Sequence, residues 1–158
     1  MKIGVISDTH LKNPNPELKK LLQGPFQDVD MILHAGDITE LAVLESFADK
    51  KVLAVCGNMD SWAVRRGLPN KRIIQTGRIK IGLIHGWGGL QGIEERIQQE
   101  FEGVQGIVFG HTHMATHVHR EGIFFFNPGA FGESNFGGCR SVGLLEVEDQ
   151  ISGEVISF

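Results

Sequence analysis

No stretch of this chain approaches the roughly 20 consecutive apolar residues that a bilayer-spanning helix requires, so neither a helical membrane protein nor a membrane partner is expected. The N-terminal run from Met1 to Asp8 has too short an apolar stretch for a secretory signal and passes directly into polar residues. Cysteine is almost missing as well. Cys56 and Cys139 are far apart and lack Cys-x-x-Cys spacing, which excludes a zinc ribbon and gives little reason for an oxidised framework. A cytoplasmic location is the expectation. An excess of basic charge is also absent: the formal net charge is -4, with an isoelectric point near 5.9. That balance, with no basic–aromatic runs, weighs against a surface that holds a long polynucleotide. No repeat, low-complexity tract or linker composition interrupts the chain.

What remains is an ordinary globular composition, with 41% hydrophobic and 22% charged residues over 158 positions. That length suits one domain, residues 1–158, and is too short for two. Glycine is the unusual entry in the composition, at 21 residues, many of them beside polar clusters. Glycine lets a backbone turn sharply or approach a ligand closely, which suits a site built from tight loops.

The first third reads as alternating strand and helix: a strand over Lys2–Ser7, a helix opened by Asn15-Pro16 with Leu18, Leu21 and Leu22 on one face, and a strand at Met31–Leu33. A second helix is expected with Leu41, Leu44 and Ala48 on one face, then a strand over Lys51–Cys56. The middle predicts a hairpin about Gly77, a helix carrying Leu90, Ile93, Ile97 and Phe101, and a strand at Val104–Phe109. The remainder predicts strands at His117–Arg120, Ile123–Phe126, Ser141–Glu148 and Ile151–Phe158. Gly132 to Gly138 is the expected mobile loop. This mixture of parallel and antiparallel strands predicts an α/β class with two packed sheets and helices outside.

Short polar clusters stand where these apolar runs stop: Asp8-Thr9-His10, Gly36-Asp37, Gly57-Asn58-Met59-Asp60, His85-Gly86, Gly110-His111-Thr112-His113 and Asn127-Pro128-Gly129. In parallel sheets functional groups collect beyond the carboxyl ends of strands, so these clusters are expected to converge. Two carboxylates (Asp8, Asp37), four imidazoles (His10, His85, His111, His113) and the Asn58 amide are ligands that Mn, Fe, Zn, Co or Ni accept. A lone histidine or strand-end aspartate is ordinarily a surface group, a cap or a turn former; it is the repeated placement that points to two metals. Asp37, central in the set, is the candidate for bridging both. His34 is expected to support the ligands from behind, and His117 and His119 to face solvent on a strand. Two divalent cations less two carboxylates and a bridging hydroxide leave about one positive charge, suited to a singly charged phosphodiester.

In their order, the motifs Asp-x-His, Gly-Asp, Gly-Asn-x-Asp, His-Gly and Gly-His-Thr-His resemble those of the calcineurin-like metallophosphoesterase superfamily. The short length, Asn127-Pro128-Gly129 and a non-histidine residue after Asn58 resemble its compact YfcE-type phosphodiesterase branch. The resemblance runs from Asp8 to Gly129 and implies a four-layer αββα sandwich of two mixed β-sheets flanked by helices. It implies Asp8, His10, Asp37 and His113 around one divalent ion and Asp37, Asn58, His85 and His111 around the other, manganese first, with Ni, Co, Fe, Zn and Mg as alternatives. Asp37, Asn58, His85 and His111 are then the catalytic set, binding phosphoryl oxygens while a metal-bridging hydroxide attacks phosphorus in line; Asp60 would orient a neighbouring ligand. Three departures concern the substrate. Met59 replaces a histidine that protonates the leaving group, so diesters with good leaving groups are expected. Ala130 replaces a serine, with Phe131 and Phe136 nearby, and Met114-Ala115 replaces a proline position. Arg65 and Arg66 are candidates to contact a substrate phosphate, but a solvated charge pair on a loop is the favoured reading. The leading expectation is hydrolysis of a small phosphodiester. The alternatives are a non-catalytic protein-binding scaffold of the retromer-subunit kind on the same fold, or a phosphomonoesterase or cyclic nucleotide hydrolase. Homo-oligomerisation stays open.

Overall fold

The computed structural model describes residues 1–132 and 139–158, so the loop expected after Gly132, with Phe136, lies outside the described residues. One sheet has the strand order β10-β9-β1-β2-β3, from β1 (Lys2–Ile6), β2 (Met31–His34), β3 (Lys51–Ala54), β9 (Ser141–Val147) and β10 (Ile151–Ser157). The second runs β4-β5-β6-β8-β7, from β4 (Lys71–Thr76), β5 (Ile79–Ile84), β6 (Gly106–Val108), β7 (Thr116–Arg120) and β8 (Ile123–Asn127). Three neighbouring strands of each sheet are parallel, β1, β2 and β3 in one and β5, β6 and β8 in the other; β9 and β10 extend the first by antiparallel pairing beyond β1, leaving β3 at its other edge, and antiparallel β4 and β7 flank the second.

Alternation along the strands sorts side chains into three apolar layers. Ile3, Val5 and Leu33 of the first sheet meet Ile81, Leu83, Val108 and Phe126 of the second in the layer between them. Ile6, Ile32 and Val142 point to the opposite face, where Leu18 and Leu21 of α1 (Pro16–Gln23), Phe47 and Val64 cover them. Ile107 and Phe125 point outward from the second sheet against Ile93 and Ile97 of α3 (Ile93–Gln98). The result is helix, sheet, sheet, helix, the expected sandwich. Coverage on both faces explains why Ile3–Ile6 reads as an unbroken apolar run.

Local chemistry accounts for the helices and for three departures from expectation. Asn15 caps α1 by accepting the Glu17 amide at 2.8 Å, and Pro16 opens it with no amide to satisfy. Leu41–Phe47 forms a 3-10 helix and not the expected α-helix, and its buried side is Val43, Ser46 and Phe47; Leu41 and Ala48 are exposed. With three residues per turn, positions i and i+3 eclipse, which moves the inward face. α3 begins only at Ile93, because Gly92 adopts a left-handed conformation (φ 73°), so Leu90 lies outside it and is exposed. A further helix, α2 (Trp62–Gly67), capped by Ser61, occupies the stretch read as a loop bearing Arg65 and Arg66.

Phe126 ties the sheets together. It is fully buried in the middle layer, and a Cβ added at Gly143 of β9 or Gly153 of β10 would run into its ring. Phe126→Ala is therefore expected to lower stability by about 3–5 kcal/mol, read as a shift of the urea unfolding midpoint at unchanged slope.

Candidate metal centre

Five of the six parallel strands pass into loops that carry the converging polar residues: Asp8 after β1, Asp37 after β2, Asn58 after β3, His85 after β5 and His111 after β6. The loops are stitched to one another by backbone bonds. Asp8 N–H donates to Gly36 O at 3.0 Å, His10 N–H to Asp37 O at 3.1 Å, and Gly110 N–H to His85 O at 3.1 Å, the last spanning neighbouring strands of the second sheet. Of the seven non-glycine residues with positive φ among the described residues, five are Asp8, His10, Asp37, His111 and His113. Such conformations cost about 1–3 kcal/mol each and persist where the surroundings enforce them, typically at functional sites.

Two glycines of the motifs are there because a neighbouring loop occupies the space of a side chain. A Cβ at Gly57 would overlap the carboxylate and amide of Asp37, and one at Gly110 would overlap the Ser7 hydroxyl and crowd Asp8.

The side chains converge as the sequence suggested. Asp8 Oδ1 lies 3.2 Å from His113 Nε2 and 3.9 Å from His10 Nε2, and the two imidazole nitrogens are 3.4 Å apart. Asp37 Oδ2 lies 3.4 Å from His85 Nε2 and 3.9 Å from His10 Nε2. Asn58 Oδ1 sits 3.1 Å from His85 Nε2 and 3.0 Å from His111 Nδ1. Asp8, His10 and His113 form one group, and Asp8, Asp37 and His85 another, with donor atoms in each within 4.8 Å of one another. All seven expected ligands are thus neighbours.

Each carboxylate anchors one oxygen and presents the other. Asp8 Oδ2 accepts from the Ser7 hydroxyl at 2.6 Å and the His111 amide at 3.2 Å. Asp37 Oδ1 accepts the Met59 amide at 2.7 Å. The imidazoles follow the same rule, with His85 Nδ1 on Ala35 O at 2.7 Å and His111 Nε2 on Gly88 O at 2.9 Å. Such outer contacts fix tautomer and ring orientation in metal sites. Burial opposes charge on Asp37, yet the hydrogen bond and charge of His85 hold its carboxyl below the usual range. Burial pulls His85 down, but Asp37, with Asp8, raises it above the ordinary imidazole value. Asp8 raises His113 in the same way, against the effect of burial.

Other expected residues stand behind this cluster. His34 is fully buried, 3.3 Å from Thr9 Oγ1, and takes the Gly36 amide on Nδ1; burial drives its pKa down to about 3, so it is neutral. Asp60 accepts the Thr39 and Gly57 amides, each at 2.6 Å, bracing the loops of Asp37 and Asn58; burial raises its pKa against those bonds. Asn127 does not face the cluster: it is buried and donates to Gly110 O at 2.8 Å and Thr112 Oγ1 at 3.0 Å. His117 and His119 are exposed. Ala130 is fully buried and so is no part of a substrate rim, whereas Met114 is exposed. Arg65 is not merely solvated, since its guanidinium donates to the carbonyls of Asp60 and Asn58, and Arg66 stacks over Trp62 at 4.7 Å. Ser7 and the Gly88 carbonyl were not anticipated. A serine one residue before Asp8 is a weak signal, and a carbonyl leaves none.

The donor set fits divalent metal. Asp8 Oδ1 is buried, faces the cluster and, among the described residues, has only the imidazoles of His113 and His10 as ion-pairing neighbours, at 3.2 and 3.9 Å. A buried carboxylate oxygen met only by titratable rings is better satisfied by a cation. The raised pKa values of His85 and His113 mean that metal must displace protons. Manganese affinity is expected to rise several-fold from about pH 6 to about pH 8, measured by calorimetry; a flat profile would contradict this competition.

The chain matches the family described as the calcineurin-like phosphoesterase superfamily domain over residues 1–150. It is 38% identical over 162 aligned positions to a probable metallophosphoesterase of Methanocaldococcus jannaschii, covering 99% of this chain and 81% of that one. Among solved structures it is similar to an archaeal phosphodiesterase (TM-score 0.79, 22% identity, covering 99% of this chain and 100% of that one). It is also similar to Vps29 of Entamoeba histolytica complexed with zinc (TM-score 0.74, 24% identity, 99% of each chain). With the ordered ligand motifs, the two mixed sheets and the clustered donors, the chain belongs to the calcineurin-like phosphoesterase superfamily.

Proposed function

We propose that the protein is a phosphodiesterase dependent on two divalent ions. The observation that carries this reading is Asp37, whose Oδ2 stands between His10 and His85 while Oδ1 is fixed by the Met59 amide. Asp8, His10, His113 and Asp37 would hold one ion, and Asp37, Asn58, His85 and His111 the other. When bound, the ions would supply positive charge to the phosphoryl oxygens and bring the pKa of a water near neutral. Oxygen and nitrogen donors without thiolate suit manganese, with Ni, Co, Fe, Zn or Mg as alternatives. The unpaired Cys56 and Cys139 suit a cytoplasmic setting.

A diester is favoured over a monoester because the arginines near the centre are already engaged. Arg65 is held by two carbonyls, and Arg140 pairs with Glu17 at 2.7 Å and with the Phe131 carbonyl at 2.7 Å. The charge of Arg140 is met by Glu17 and the Arg65 guanidinium is tied to its own loop, so neither is free to move onto a monoester's second negative charge. Within the protein, Asn58, His85 and His111 orient the phosphoryl group. Met59, largely exposed beside Asn58, has no proton for the leaving group.

The scaffold alternative finds support in the exposed Met59, Trp62 and Trp87 and in the likeness to Vps29. A tight protein partner in pull-down, with no bound metal, would favour it.

Protein loaded with manganese is expected to hydrolyse bis(p-nitrophenyl) phosphate with close to two metals per chain by elemental analysis. Asp37→Ala should reduce turnover to background, and equal rates for mutant and parent would overturn the mechanism. Met59→His is expected to raise turnover of diesters with poor leaving groups by about tenfold or more, read from the slope of log kcat against leaving-group pKa.

A further inference from the structure

Two clefts meet at Asn58. One, of about 710 Å³, opens over His10, Asp37, His111 and His113. The other, of about 520 Å³, is lined by His85, Trp87, Asn70 and Lys71 and shares only Asn58 with the first. The metal centre thus lies on the saddle between two spaces, each within the volume range of small-ligand sites. Trp87 forms a wall of the second cleft and is 44% exposed, an unusual cost for an indole two residues beyond a ligand.

Its loop is held in place. Arg96 of α3 donates Nε and Nη2 to the Trp87 carbonyl at 3.3 and 3.0 Å and Nη1 to Gln91 O at 2.8 Å, and Nη2 also reaches Gly89 O. His111 ties the intervening Gly88 carbonyl to the centre at 2.9 Å. Trp87 is therefore displayed on a braced loop, which lowers the ordering cost of binding against it. The cations on the cleft wall are engaged: Lys71 donates to Glu100 Oε2 at 2.8 Å and to its carbonyl at 2.9 Å, and Arg65 to the Asn58 and Asp60 carbonyls. With Lys71 ion-paired to Glu100, a flat ring entering this cleft meets the Trp87 side chain and the Asn70 amide.

We propose that the Trp87 cleft is a subsite for a neutral aromatic arm, an aryl or nucleobase-bearing group, of a phosphodiester whose phosphorus sits at Asn58. The proposal rests on the phosphodiesterase reading above. It makes Trp87 a specificity-determining residue that stacks on one ester arm while the other arm occupies the cleft over His10 and His113.

The test compares bis(p-nitrophenyl) phosphate with methyl p-nitrophenyl phosphate, which share a leaving group and differ in the second arm. The manganese-loaded parent is expected to prefer the diaryl ester in kcat/KM, chiefly through KM. In Trp87→Ala that preference should fall by about tenfold, the scale of ring stacking, and Trp87→Phe should restore most of it. A binding readout independent of turnover uses Trp62→Phe, in which Trp87 is the only tryptophan left. Diphenyl phosphate should change its emission saturably and dimethyl phosphate should not. If the esters turn over with no aryl preference, or Trp87→Ala retains the preference, the subsite is wrong and the phosphodiesterase stands. If neither ester turns over, the phosphodiesterase reading fails; saturable emission changes would then still support the aromatic site, and their absence would overturn it.

Discussion

Asp8 and Asp37 each divide their two oxygens between the fold and the centre, and the rest of the site follows from that division. One oxygen takes a backbone amide or a neighbouring hydroxyl, so the carboxylate cannot rotate. The other is aimed at imidazoles that are likewise pinned, His85 by the Ala35 carbonyl and His111 by that of Gly88. Such a constellation is organised before any ligand arrives. An isolated pair of buried carboxylates would repel and take up protons. Here His85 and His113 meet that charge with raised pKa values, and a cation would meet it better.

The backbone is shaped around this requirement. Left-handed conformations at Asp8, His10, Asp37, His111 and His113 aim adjacent loop side chains toward a common point. Gly57 and Gly110 let neighbouring loops close on Asp37 and Ser7, so the loops of two sheets interlock at one edge. Asp60 and Arg65 complete the bracing by satisfying backbone groups that such sharp turns leave unpaired. Packing between the sheets sets how far apart the two halves of the centre lie.

The convergence of the candidate ligands was legible in the sequence because each follows an apolar run that ends in a recognisable pair, such as Gly36-Asp37 or His85-Gly86. The strands were legible for the same reason, and the hairpin about Gly77 formed as the alternation of β4 and β5 suggested. Helical detail was less readable. α2 has only six residues, less than two turns, so it shows no periodicity; Ser61 at its start was its one signal. In Leu41–Phe47 an α-helical period picked the wrong face of a 3-10 helix. The contacts of Arg65 and Arg96 end on carbonyls, which every residue has, so no pattern of side chains announces them. The neutrality of His34 depends on burial that only the folded sandwich creates.

The order of strands in the first sheet governs how the molecule can be made. β1 pairs on one side with β2, only some thirty positions away, and on the other with β9, whose Leu145 stands opposite Ile3. Until β9 has docked, one edge of β1 has no partner in its final sheet, and such an edge invites pairing with other chains. Closure over so long a separation carries an entropy cost that grows with the logarithm of the loop and slows folding. The strand that delivers Asp8 to the centre is therefore completed only when a segment distant in sequence docks beside it.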